Sequence, residues 1–234
     1  MLNAIAILIP TRERPADLRL FLESWVKTTT GFSSVFIGID KDDPTDYSFI
    51  NDVVPENLSH CVNIQKYDRK PFLHLLNEMA QFCMVKDFKY VGFMEDDCCF
   101  ESSWEQEFIS QLEILQSSHG YGIVWGNDKI NENRLVGLPF MTRNIIDVLG
   151  YMSPPEIECL WADYFWKLIG EKMNCLHYFP EITIEHRHYS TGKRPKCKIS
   201  ELVDNTGHRD YYSYQRYMQR HEEDIKKLNE NKFI

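Results

Sequence analysis

Short apolar runs alternate with stripes of helical period through the N-terminal half of this chain, and nothing else in it constrains the fold as much. Ala4 to Ile9, Val35 to Ile39, Cys61 to Ile64, Tyr90 to Met94 and Tyr121 to Trp125 are apolar runs of strand length. Between them, Leu18, Phe21, Leu22 and Trp25 recur at helical spacing after Pro15, and Phe72, Leu75, Leu76, Met79 and Cys83 form a second stripe. Ser103 and Gln106 make a capping-box pattern ahead of Phe108, Ile109, Leu112 and Leu115. This order predicts an α/β fold with a mostly parallel central sheet flanked by helices. Ligands of such sheets bind at the carboxyl ends of the strands. Three strands lead there into polar clusters: Pro10-Thr11-Arg12-Glu13-Arg14, Asp40-Lys41-Asp42-Asp43 and Glu95-Asp96-Asp97.

The second half is less regular. Leu135 to Leu138 reads as a strand, Asn144 to Leu149 as a short helix and Glu158 to Gly170 as a longer one. Tyr178 to Ile184 alternates towards His186-Arg187-His188, and Tyr211 to Asn229 has the pattern of a surface helix.

Composition removes several function classes. Apolar residues make up 43% and charged residues 26%, which fits a packed domain and not a disordered chain. The net charge of −9 argues against a long basic groove for nucleic acid. No apolar run is long enough to span a bilayer. Met1 to Pro10 lacks a basic leader and runs straight into Arg12, Glu13 and Arg14, so it reads as a first strand and not a signal peptide. Seven cysteines without a CxxC pair favour reduced thiols over disulfides or a structural zinc, and point to the cytoplasm.

The polar clusters carry the chemistry. Three adjacent acids at a strand end repel one another unless solvated or bridged by a divalent cation. Read from the residues alone, Glu95-Asp96-Asp97 is a solvated turn or a site for Mn²⁺ or Mg²⁺. Arg12 and Arg14 suit a diphosphate but equally an exposed loop, and Asp40 suits ribose hydroxyls but equally a turn.

Taken together, the Ile-Leu-Ile-Pro-Thr-Arg strand, the strand ending in Asp40 and the strand ending in Glu95-Asp96-Asp97 resemble the glycosyltransferase-A superfamily of nucleotide-diphospho-sugar transferases. The likeness is strongest to its inverting, family-two-like branch. The resemblance implies that Pro10, Thr11, Arg12, Arg14, Asp40, Arg69 and Asp96 hold the nucleotide-sugar. The acidic triplet corresponds to the family's Asp-x-Asp motif, with Glu95 in place of its usual first Asp. Glu95 and Asp97 then bind the metal, joined by His186 or His188, which share a face by alternation. The segment Leu160 to Gly170 resembles the family's catalytic helix with Ala162 where a Glu is usual. Asp163 becomes the catalytic base, although a solvent-facing acid reads equally well locally. The aromatic run Trp161, Tyr164, Phe165 and Trp166 reads better as core than as a sugar platform, with Trp161, beside that base, the candidate to stack on the acceptor. The resemblance runs from position 4 to about 190, so residues 1–190 are expected to be the catalytic domain. Residues 191–234 are expected to be a basic segment and helix packed on or near the site.

The implied activity is metal-dependent transfer of a hexose or pentose from a nucleotide-diphosphate donor, a UDP-sugar foremost, to a hydroxyl. The acceptor is a glycan, a protein or a modified nucleic acid. The basic stretch Arg187 to Lys198 suits a diphosphate or nucleic-acid phosphates. His-Arg-His followed by Gly-Lys also resembles small transferase-like proteins of bacteriophages, which would place the chain in a bacterial or infected-host cytoplasm. A non-catalytic nucleotide- or glycan-binding module on the same fold is the alternative.

Overall fold

A computed structural model describes residues 4–233. In chain order the elements are β1 (Ile5–Thr11), α1 (Pro15–Thr28), β2 (Ser33–Asp40), α2 (Ile50–Val53), β3 (Val62–Tyr67), α3 (Phe72–Met84), β4 (Tyr90–Phe93) and β5 (Cys98–Phe100). There follow α4 (Glu105–His119), β6 (Ile123–Asn127), β7 (Phe140–Thr142), α5 (Arg143–Leu149), α6 (Ala162–Met173), β8 (Leu176–His186), α7 (Lys198–Met218) and α8 (His221–Glu230). The eight strands form one sheet in the order β3-β2-β1-β4-β7-β6-β8-β5. Four of its seven pairings are parallel, and these include every contact among β3, β2, β1 and β4. Among the described residues, no helix is long and apolar enough to cross a membrane.

Every residue of β1 is buried, as expected of an inner parallel strand covered on both faces. Pro15 takes the first helical position of α1, where a missing N–H costs nothing, and Leu18, Phe21, Leu22 and Trp25 are buried. Gly92 matters in β4. A Cβ there would lie 2.4 Å from the Phe140 ring, so glycine alone lets β7 pack its aromatic over the sheet. Because β1, β2 and β4 are parallel neighbours, their three polar clusters emerge on one edge.

The structure departs from the sequence reading at four places. Residues 135–138 are not a strand; the strand is β7. Asp128 has already turned that stretch into a loop, its Oδ1 accepting backbone N–H groups from Ile130, Asn131 and Glu132 at 2.7–2.9 Å. Second, the helix expected from Glu158 begins at Ala162. The N–H groups of Glu158, Cys159 and Leu160 are bound by buried Asp210, and Trp161 is left-handed at φ 78°. Third, the Ser103–Gln106 capping box does not form. Trp104 caps α4 without a side-chain bond, and Glu105 turns back to Thr29, Thr30 and Ser33. Fourth, the C-terminal helix is two helices, and the first starts at Lys198 rather than Tyr211. The sequence reading also missed β5, which pairs antiparallel with the end of β8.

Candidate active site

The acidic triplet lies between β4 and β5, and the β5–β8 pairing sets Cys98 opposite His186. That register carries the end of β8 to the triplet, and Arg187 N–H donates to the Asp97 carbonyl at 2.9 Å. His186 Nε2 lies 3.4 Å from Asp97 Oδ1 and 3.5 Å from Glu95 Oε2. On its other oxygen Asp97 receives Arg14 at 2.6 Å and Arg194 at 2.8 Å, and its side chain is 0% exposed. Asp96 receives the Thr11 hydroxyl at 2.7 Å and faces Arg14 Nη1 at 2.8 Å.

Burial disfavours the charge on every one of these groups, and the network decides which keep it. Against that desolvation, His186 holds the Glu95 carboxyl below its usual range, and His186, Arg14 and Arg194 hold Asp97 far below it. Asp96 goes the other way. Burial and the Asp97 carboxylate outweigh Arg14 and push it up to about 7. His186 is likewise pushed up, to about 10, because Glu95 and Asp97 outweigh its burial.

Asp97 Oδ1 and His186 Nε2 are both buried and make no hydrogen bond. Cis ligands of a six-coordinate cation with bonds of about 2.1–2.2 Å are separated by about 3 Å. The 3.4 Å spacing of Asp97 Oδ1 and His186 Nε2 comes near this, with Glu95 Oε2 3.5 Å from the same nitrogen, so this pair of donors is of the chemistry that suits a divalent cation of the Mn²⁺ kind once the imidazolium loses its proton. Cys98 Sγ lies within 4.8 Å of Asp97 and His186 donor atoms, but burial raises that thiol well above its ordinary value. His188 lies on the wall beside His186, with Nδ1 bonded to Ser190 Oγ at 2.7 Å.

Two cavities meet at Glu95 and His186. The first, about 360 Å³, is lined at one end by Pro10, Thr11, Arg12, Arg14, Asp40 and Asp96. Arg69, Lys70 and His188 also border it. Arg12 spans Asp40 at 3.0 Å and Asp42 at 2.6 Å, and the second oxygen of Asp40 makes no hydrogen bond. Arg69 stands on the rim with its side chain 55% exposed. The opposite wall comes from α7, through Ile199, Leu202, Val203 and Thr206. The sequence reading expected residues 191–234 on or near the site but singled out none of these four, because they sit in a strongly polar helix. The second cavity, about 430 Å³, holds Asp163 with Trp161, Tyr164, Asp128 and Asn131. Desolvation pushes the Asp163 carboxyl up to about 6, a suitable value for a proton acceptor near neutral pH.

The structure thus gathers Pro10, Thr11, Arg12, Arg14, Asp40, Arg69, Glu95, Asp96, His186 and His188 around one cavity. Asp163 and Trp161 lie in its neighbour. Asp97, its side chain fully buried, lines neither cavity and touches His186, which lines both. Sequence reasoning also missed Arg194, which reaches Asp97 from 97 positions away, and Asp210, which shapes the loop before Asp163.

No protein-family model matches the chain, and no curated protein sequence matches it. Solved structures do. Over 79% of this chain, S. aureus TarS superposes with a TM-score of 0.55 at 11% identity. Its fragment 1–349 in complex with UDP gives 0.55 at 10%, also over 79%. The mannosyltransferase PcManGT from Pyrobaculum calidifontis, in complex with GDP-Man and Mn²⁺, gives 0.57 at 12% over the same share. The matched region covers 36%, 59% and 57% of those chains, respectively. What the likeness establishes is the fold, a mixed α/β sheet flanked by helices that this chain shares with TarS and the mannosyltransferase.

Proposed function

We propose that this chain is a metal-dependent glycosyltransferase that moves a sugar from a nucleotide-diphosphate donor to an acceptor hydroxyl. The observation that carries the reading is the meeting of two cavities at Glu95 and His186, one bordered by cations and Asp40, the other holding Asp163. The solved relatives support it, since TarS 1–349 is seen with UDP and with UDP-GlcNAc, and the mannosyltransferase with GDP-Man and Mn²⁺.

In this reading Thr11 and Asp40 receive the nucleoside, Asp40 through its free oxygen. Arg69 and Lys70 meet the diphosphate from the rim. Arg12 and Arg14, both engaged with carboxylates, hold Asp40, Asp96 and Asp97 in place. Glu95, Asp97 and His186 hold a divalent cation, whose charge would stabilise the departing diphosphate. Asp163 takes the proton from the acceptor hydroxyl as it attacks the anomeric carbon. The buried thiols of Cys83, Cys98 and Cys175, none of them in a disulfide, suit a reducing compartment such as the cytoplasm.

The test is thermal unfolding with UDP and GDP, each with and without Mn²⁺, followed by release of nucleotide from UDP-sugars and GDP-sugars. Binding raises the melting temperature. Nucleotide binding with Mn²⁺-dependent turnover is expected. Binding without turnover makes the chain a non-catalytic module, and absence of nucleotide binding overturns the proposal.

A further inference from the structure

Trp161 and Tyr164 line the cavity that holds Asp163, and α7 packs Tyr211 and Tyr214 against Trp161 from outside that lining. The Trp161 ring lies 4.9 Å from Tyr164, 5.2 Å from Tyr211 and 5.7 Å, stacked, from Tyr214. Tyr214 is the packed inner layer. Tyr164, on the cavity lining, and Tyr211, beside Trp161, remain 41% and 40% exposed. Large aromatic rings left exposed around a cleft suit ligands with a flat apolar face and polar edges.

Two such ligands exist, a pyranose ring and a nucleobase, and charge separates them. A strand of nucleic acid needs a cationic track for its phosphates. Here the cavity presents three acids, Asp163, Glu95 and Asp128, against one cation, His186, which Glu95 already faces at 3.5 Å. Arg209, nearby on α7, is ion-paired with Glu158. Of the five cations between Arg187 and Lys198, three are already paired with acids: Lys193 with Glu185, Arg194 with Asp97, and Lys196 with Asp204. The acidic lining repels phosphate and suits hydroxyl donors.

We propose that Trp161, Tyr164 and Tyr211 form a platform for a neutral sugar ring, so that the acceptor is a glycan. The proposal rests on the transferase reading above. The platform sets the apolar C–H face of the ring against the aromatics and leaves its hydroxyl edge facing Asp163.

The test is titration of the ¹⁵N-Trp-labelled chain, with the Trp161 indole signal assigned by Trp161→Phe. The probes are methyl β-glucoside, methyl α-mannoside, methyl β-N-acetylglucosaminide, chitotriose and a ten-nucleotide oligo-dT. At least one neutral glycoside should shift the Trp161 signal. Tyr164→Ala and Tyr211→Ala, both at exposed positions, should weaken that binding about fivefold or more, with folding checked by circular dichroism. The proposal is overturned if no glycoside shifts the signal, if both variants bind as wild type, or if only oligo-dT binds. A dimer that Tyr211→Ala dissolves also overturns it, since the face is then an interface between copies. UDP titrated into the same samples reads the donor cavity separately. UDP binding without glycoside binding removes the platform alone, whereas glycoside binding without UDP binding removes the transferase reading.

Discussion

Asp210 offers the sharpest test of how α7 builds the site. Its buried carboxylate accepts Cys159 N–H and Leu160 N–H on Oδ2, both at 2.8 Å, and Glu158 N–H on Oδ1 at 3.1 Å. These three donors belong to the loop that lines both cavities and leads into Asp163. Asp210→Ala strips all three of their acceptor. At about 1 kcal/mol for each ordinary hydrogen bond, and more for one to a charged group, the loss is about 3–5 kcal/mol. Asp210→Asn behaves differently. Its remaining oxygen keeps the two short bonds, while its NH₂ faces Glu158 N–H, so the cost is about 1–2 kcal/mol. Urea unfolding reads both values from the shift in midpoint at constant slope. For a chain of this size about 3 kcal/mol corresponds to a fall in melting temperature of about 6 °C or more. Amide exchange at Cys159 and Leu160 should quicken in the Ala variant and stay slow in the Asn variant. Two variants within about 0.5 kcal/mol of wild type, with unchanged exchange, would refute the idea that Asp210 holds the loop.

Other outcomes follow from the same geometry. Asp163→Asn should slow transfer by about 10²–10⁴-fold at saturating donor with little change in the donor KM, and a wild-type rate removes Asp163 from the mechanism. Since desolvation raises its carboxyl to about 6, the base form is lost as pH falls through that value, and kcat should drop roughly tenfold per unit below it; a flat profile from pH 5 to 7 contradicts this. Asp97→Asn leaves Arg14, Arg194 and His186 without their shared carboxylate, and breaking a buried ion pair costs about 3–5 kcal/mol, so an unaltered melting temperature would sink the network described here. His186→Gln should abolish Mn²⁺ binding by calorimetry, and retained affinity would exclude His186 as a ligand.

What the sequence determined by itself was the set of elements with strong local signals and the residues at their ends. β1, β2 and β4 are runs of continuous apolar character, α1 and α3 carry clean helical stripes, and their order admits little besides a parallel α/β core. Strand ends in such a core face one edge, so Thr11, Asp40 and Asp96 are legible as neighbours from the sequence. The tertiary structure decided everything that depends on partners far apart in the chain. Asp128 and Asp210 spend their carboxylates on backbone N–H groups and so suppress a strand and a helical turn that local pattern favours. β5 is three residues long, too short for periodicity to mark, yet its pairing with β8 is what delivers His186 to the acids. The state of those acids follows the same rule. Glu95, Asp96 and Asp97 are identical in local pattern, but burial and the distant charges of Arg14, His186 and Arg194 drive their proton affinities apart, because in a desolvated site the long-range field outweighs the nature of the residue.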